Sequence, residues 1–239
     1  LENIVNKETL QNELDFLSKK ILDLNKKLIE SEKIKSRFLS LVTNELNNPV
    51  TALLGIIPHL KIEESEANKK NFTLFYNEVL RLYFRIQNLV TVSEIENGNI
   101  DNTYALLEPK EIIDEVIHSL KYLIEDKNIQ FRVTDKIKQE VVSDPKKIYM
   151  IVKNLISNGC RYGVANSVID IILDMDDSML IVMVKNQGDG PKVNYKPEVF
   201  TRFTKDTTSE HGLGIGLSIV RELCERLNGS VDYIVEDGF

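Results

Sequence analysis

Leu10, Leu14, Leu17, Ile21, Leu24 and Leu28 step alternately by four and three residues, and no other feature limits the fold as tightly. An apolar position every ~3.5 residues keeps a seam on one side of a helix, turned towards a second helix. Glu, Asp, Lys and Asn fill the other positions, with no Gly or Pro among them. The wide polar side favours a coiled coil over a single amphipathic helix lying on a globular core. Ser31 breaks the phase, and the seam resumes through Ile34, Phe38 and Leu41.

The seam runs into a second block, Leu39, Val42, Leu46, Val50, Leu53 and Ile57. Pro49 should kink this helix, because it lacks an N–H and its ring crowds the carbonyl of Glu45. Gly55 and Pro58 weaken its end. A polar turn, Glu63-Glu64-Ser65-Glu66, leads to another helix with apolar residues at Phe72, Phe75, Val79, Leu82, Ile86 and Leu89, closed by Asn97-Gly98-Asn99. Two long amphipathic helices joined by a turn make half of a four-helix bundle, which a two-fold dimer completes.

After a linker, Ile100 to Pro109, the pattern changes. A helix is predicted from about Lys110 to Asp126, then a short alternating strand, Ile129 to Val133. Val141-Val142 precedes Asp144-Pro145, which opens a helix through Asn158. Val168 to Leu173 and Met179 to Val184 read as a hairpin joined by residues 174–178. A loop-rich segment from Asn186 to His211 leads to a helix from about Gly214 to Leu227, and Ser230 to Val235 reads as a last strand. Helices mixed with mainly antiparallel strands predict an α+β layer. The division expected is a coiled-coil signalling helix over 1–35, a helical hairpin over 36–100 and an α/β sandwich over 101–239.

With 239 residues, 42% hydrophobic and 28% charged, the chain has the composition of a folded, water-soluble protein. A net charge of -7 and no basic stripe argue against nucleic acid. Cys160 and Cys224 lie far apart without metal-ligand spacing, as expected of reduced cytosolic thiols. No apolar run approaches the ~20 residues that span a bilayer, so no membrane contact is expected of this chain, although a longer parent could be anchored. Leu1 in place of Met, and an end at Phe239 just after a strand-like run, read as a piece of a longer protein whose sensor region lies elsewhere.

Three stretches carry chemistry. Asn154-Leu155-Ile156-Ser157-Asn158-Gly159-Cys160-Arg161-Tyr162-Gly163 places two asparagines four apart on one helical face. By itself this is also the polar side of an ordinary helix end. Asn186-Gln187-Gly188-Asp189-Gly190 is a Gly-rich turn. Gly212-Leu213-Gly214-Ile215-Gly216-Leu217 opens an amphipathic helix, where glycines let backbone N–H groups approach phosphate. No apolar strand stands just before it, as a dinucleotide fingerprint needs, and no Gly-x-x-x-x-Gly-Lys-Ser/Thr occurs. Together these stretches resemble the N, G1 and G2 boxes of the GHKL ATP-binding domains, shared by histidine kinases, gyrase, a heat-shock chaperone and mismatch-repair ATPases. Phe200-Thr201-Arg202-Phe203 resembles the F box, and residues 205–211 have the composition of a mobile lid.

The stretch from Phe38 to Pro49 in turn resembles the phosphoacceptor box of sensor histidine kinases, with Asn44 at the histidine position. The resemblance implies Mg²⁺ on Asn158 and ATP held by Asn154, Asn158, Arg161, Tyr162, Asn186, Gly188, Gly190, Lys205, Gly212, Gly214 and Gly216. Arg161 would stand near the phosphates and Tyr162 beside the base. Asn186 replaces the family's adenine-reading Asp. A neutral acceptor contributes roughly 1 kcal/mol against about 1.5–3 for a charged one, so nucleotide affinity should fall on the order of tenfold.

Asn44 cannot accept a phosphoryl group, because its amide lone pair is delocalised whereas neutral imidazole offers a free one. Glu45 matches the family's acid and has no imidazole to deprotonate. Asn48 stands where the family orients water against a receiver's aspartyl phosphate, and it is equally an ordinary polar residue before proline. His59, His118 and His211 lack the Glu neighbour and the position.

The reading is a degenerate cytoplasmic transmitter module that binds ATP weakly, forms a homodimer and docks a response regulator receiver domain or a partner kinase. The alternative is an active protein-histidine kinase carrying an engineered His→Asn change at position 44. A chaperone-like ATPase fits the coiled coil and acceptor-type box poorly.

Overall fold

The computed structural model describes residues 14, 16–31, 34–35, 45–46, 48–49, 52–53, 56, 66–96, 101–188, 200 and 214–235. It falls into two compact units, Leu1–Thr51 and Ala52–Phe239. In the first, residues 16–31 are helical (α1). The predicted seam is on its surface: Leu17, Ile21, Leu24 and Leu28 are 52–62% exposed. Lys27 and Asp23, one turn apart, pair at 2.8 Å on the polar side. Glu45, Leu46, Asn48 and Pro49 are also helical. Leu10, Phe38, Leu41, Asn44, Gly55, Pro58 and the turn at 63–65 lie outside the described residues.

The second unit opens with α2, Glu66–Glu96. Its predicted stripe is not its buried one. Phe72 and Ile86 of that stripe are exposed, while Phe84, Asn88, Thr91, Val92 and Ile95 are buried. Phe84, Asn88, Thr91 and Ile95 step by four and three, with Val92 next to Thr91, on a neighbouring side of the helix. An outer row, Phe72, Tyr76, Tyr83, Ile86 and Val90, stays 41–60% exposed.

The α/β part follows with β1 (Ala105–Leu107), α3 (Pro109–Ser119), α4 (Lys121–Lys127), β2 (Gln130–Asp135), β3 (Val141–Ser143), α5 (Pro145–Tyr162), β4 (Val168–Asp176), β5 (Met179–Lys185) and α6 (Gly216–Arg226). β2-β4-β5 form one sheet, β2 and β4 parallel and β4 and β5 antiparallel, and β1 pairs with β3 antiparallel. Alternation along β4 puts Ile169, Ile171 and Leu173 at 0% exposure against the helices. They join Ile113, Val116, Leu120, Val152, Ile156 and Cys160 in one core, and α3 and α6 both pack on α5.

Four sequence expectations change. The linker contains β1, whose three residues are too few to show a period. The helix expected over Lys110–Asp126 is two helices: Ser119 Oγ donates to Val116 O at 2.8 Å and the chain breaks at Leu120 (φ -102, ψ 11). That break lets both Leu120 and Tyr122 reach the core. The hairpin connection shrinks to Asp177-Ser178, with Asp177 left-handed at φ 52, because residues 174–176 continue β4. Ser230–Val235 joins no ladder among the described residues; alternation there is not matched by a paired strand.

Candidate nucleotide site

Helix α5 is the spine of the site and is anchored at its start. Asp144 Oδ1 accepts from Lys147 N at 3.1 Å, capping the helix. Its Oδ2 accepts from Lys147 Nζ at 2.7 Å and from Thr103 N at 2.9 Å. Lys147 Nζ also donates to Asp101 O at 2.7 Å. Burial opposes charge on the Asp144 carboxyl, but these hydrogen bonds outweigh it and hold the group below its ordinary value. At the other end, Lys127 Nζ donates to the carbonyls of Arg161 and Gly163, a cation where the helix dipole favours one.

The two asparagines of the first box differ. Asn154 is 2% exposed and fully engaged. Its Oδ1 accepts from Asn88 Nδ2 at 2.9 Å, and its Nδ2 donates to Asn88 Oδ1 at 3.0 Å and to Met150 O at 2.9 Å. Asn158, one turn on, is half-buried and makes no side-chain hydrogen bond among the described residues. Arg161 is half-buried and Tyr162 is 50% exposed.

The Gly-rich turn is docked against the end of α5. Val164 N donates to Gln187 O at 2.8 Å. A Cβ on Gly188 would meet Tyr162 O at 2.4 Å, so only glycine allows this approach. Asn186 is half-buried beside it. At the middle of α5, Gly216 presses on Asn154: a Cβ there would lie 2.8 Å from Asn154 Oδ1. Gly214, at φ 65, turns the chain into α6. The N-cap position of α6, Ile215, gives no side-chain cap, so its first N–H groups are not taken by one.

Asn158, Arg161, Tyr162, Asn186 and Gly188 thus lie at the C-terminal end of α5, while Asn154 and Gly216 meet at its middle, with Gly214 two residues before Gly216. Gly190, Lys205 and Gly212 lie outside the described residues. Glu45 is buried and Asn48 exposed, both in the first unit. Burial pushes the Cys160 thiol up to about 12 and that of Cys224 to about 11, so both stay protonated at neutral pH. The described residues hold no cluster of His, Cys, Asp and Glu suited to a metal. Asn158 offers an amide oxygen that no described residue takes up, the ligand type Mg²⁺ accepts, and the start of α6, uncapped by Ile215, suits phosphate.

Sequence reasoning missed Asn88, Phe84 and Gln87 of α2. Lys153, buried at 6% exposure, sits over the rings of Phe84 at 5.0 Å and Tyr149 at 5.2 Å, with Gln87 Oε1 at 3.4 Å. The signal was the second apolar row of α2, Phe84, Val92 and Ile95, with Asn88 as its one amide.

Residues 143–238 match the family described as histidine kinase-, DNA gyrase B-, and HSP90-like ATPase. The chain is similar to hybrid signal transduction histidine kinase D of Dictyostelium discoideum, 24% identical over 96% of this chain and 16% of that protein. It is also similar to sensor histidine kinase HprS of Escherichia coli (strain K12), 27% identical over 94% of this chain and 50% of that protein. It therefore spans half or less of these relatives. Among solved structures, histidine kinase AdeS of Acinetobacter baumannii shares the fold with a TM-score of 0.58 and 23% identity, over 80% of this chain and 90% of that one. Histidine kinase ThkA, solved in complex with response regulator protein TrrA, shares it with a TM-score of 0.54 and 24% identity, over 82% of this chain and 57% of that one. Residues 143–238 thus carry an ATP-binding domain of that family, and the chain as a whole is similar to the transmitter regions of sensor histidine kinases.

Proposed function

We propose that this region binds Mg-ATP along the open end of α5 but does not autophosphorylate, and that it signals as a homodimer by docking a response regulator or a partner kinase. The observation that carries the reading is Asn158, without a side-chain hydrogen bond among the described residues, on the turn of α5 just before Tyr162, whose carbonyl Gly188 approaches. Asn158 would ligate Mg²⁺, Arg161 would face the phosphates, and Tyr162 would lie along the base, with Asn186 accepting from the adenine amino group. When bound, Mg-ATP supplies a transferable phosphoryl group; Asn44 offers no lone pair to take it. Gly190, Lys205 and Gly212 complete the cradle in this reading.

The exposed α1 seam and the outer row of α2 support dimerisation through a four-helix bundle, since each leaves apolar surface that a second copy would cover. The three-part division at 35 and 100 belongs to the same proposal. The ThkA–TrrA complex supports docking of a receiver domain. The exposed Asn48 suits a water-orienting role in aspartyl-phosphate hydrolysis, which needs no bond to the acceptor position.

Calorimetry with Mg-ATP tests the site. We expect weak binding by the parent and roughly tenfold tighter binding by Asn186→Asp, the worth of one charged acceptor. Phosphohistidine formed by an Asn44→His variant would show that only the acceptor is missing. Absence of binding in both the parent and Asn186→Asp would overturn the nucleotide reading.

A further inference from the structure

We propose that α2 is a latch on the nucleotide site, in which Asn88 and the nucleotide compete for the Asn154 amide; this rests on the reading of α5 as an ATP-binding helix. The argument is one of hydrogen-bond capacity. A carboxamide has two N–H donors. Both donors of Asn154 are spent, one on Asn88 Oδ1 at 3.0 Å and one on Met150 O at 2.9 Å. Its oxygen accepts from Asn88 Nδ2 at 2.9 Å and is closed on another side by Gly216. A phosphate oxygen can offer Asn154 only an acceptor, so it gains a hydrogen bond there only if Asn88 withdraws.

The surroundings fit a latch that opens as a unit. On either side of Asn88, Lys153 lies against Phe84 with Gln87 Oε1 nearby, and Arg226 Nη2 donates to Ile95 O at 3.2 Å. Further back, the Arg81 guanidinium lies 5.9 Å from the centre of the Tyr122 ring. These contacts join α2 to three elements at once: α5, α6 and the start of α4. Asn88 itself stands in a mainly apolar row, with Phe84, Val92 and Ile95 buried around it and Thr91 as the other polar member. A leucine there would pack more firmly; an amide gives up packing for a register that only its partner satisfies, and it exchanges readily for water or another acceptor. That chemistry suits a contact made to be released.

Linkage makes the proposal reciprocal: if a docked α2 weakens nucleotide binding, nucleotide must weaken docking by the same factor. The experiment uses the full chain. Amide hydrogen exchange is followed over residues 84–96 with and without saturating Mg-ATP, and Mg-ATP affinity is measured by calorimetry for the parent, Asn88→Ala, Asn154→Ala and the double variant. We expect faster exchange over 84–96 with nucleotide and a roughly five- to tenfold gain in affinity for Asn88→Ala, the scale of one or two neutral hydrogen bonds. In the Asn154→Ala background the Asn88 change should have no effect. Unchanged or slower exchange in a parent that binds Mg-ATP would overturn the latch while leaving the site intact. So would an Asn88→Ala gain that persists without Asn154. The exchange arm needs no substitution, so a poorly folding variant does not blunt the test. If neither the parent nor Asn186→Asp binds Mg-ATP, the site reading fails and the latch fails with it.

Discussion

Two successive turns of α5 carry the same kind of residue in different states. At Asn154 every donor is spent, the side chain is buried, and two other elements lean on it. At Asn158, one turn later, the amide is half-buried and makes no side-chain hydrogen bond among the described residues. A four-residue spacing says that two side chains share a face. It does not say that they share a fate, because that depends on what the rest of the chain lays over each.

The strongest way to break the comparison is at the anchored start. Asp144→Ala removes the cap and leaves Lys147, 6% exposed, without its carboxylate. A buried charge stripped of its partner costs about 3–5 kcal/mol, so the midpoint of chemical denaturation should fall sharply. The same group gives a pH signature. Its carboxyl is held below its unfolded value of 3.8. Its stabilisation is therefore complete above that pH and fades as pH falls through the lower folded value. An acid titration of stability should show this component in the parent and lose it in Asp144→Asn.

Smaller, and at the open end, is Gly188→Ala. The added methyl meets a backbone carbonyl at 2.4 Å, which cannot step aside as a side chain would. Overpacking of this kind costs roughly 1–3 kcal/mol. Mg-ATP affinity should fall by more than the melting temperature suggests, because the strain falls on the turn that holds Asn186.

Smallest is Gly159→Ala, in the last turn of the helix. Its nearest neighbour, Ile169 Cδ1 at 3.2 Å, is a movable side-chain end, and alanine is the better helix former. Thermal melting should show a change within about 1 kcal/mol of zero. A large loss there would mean that the last turn of α5 is held as rigidly as its capped start.

Much of this was legible in the sequence. Asp144-Pro145 announced the start of α5, the glycines marked the close approaches at 188 and 216, and β2, β4 and β5 showed their alternation. The helix break at Leu120 was hidden because one buried leucine satisfies a continuous helix and a broken one equally. β1 was too short to show a period. The partner of Asn154 was out of reach for another reason: Asn88 lies 66 residues away, and nothing local distinguishes a paired amide from a solvated one. The two apolar rows of α2 were both present in the letters, and only the fold shows which one faces inward.

Those two rows lie on different sides of α2: Tyr83, Ile86 and Val90 on the outside, Phe84, Asn88 and Ile95 within. At 3.6 residues per turn they stand roughly 150° apart on one helix, so whatever grips the outer row has a lever on the inner one. With side chains reaching about 5 Å from a helix axis, a turn of only ~20° carries the Asn88 amide nearly 2 Å sideways. That is enough to stretch a bond of 2.9 Å past the limit of hydrogen bonding. In mechanical terms α2 is a torsion rod whose tolerance is set by one pair of amides.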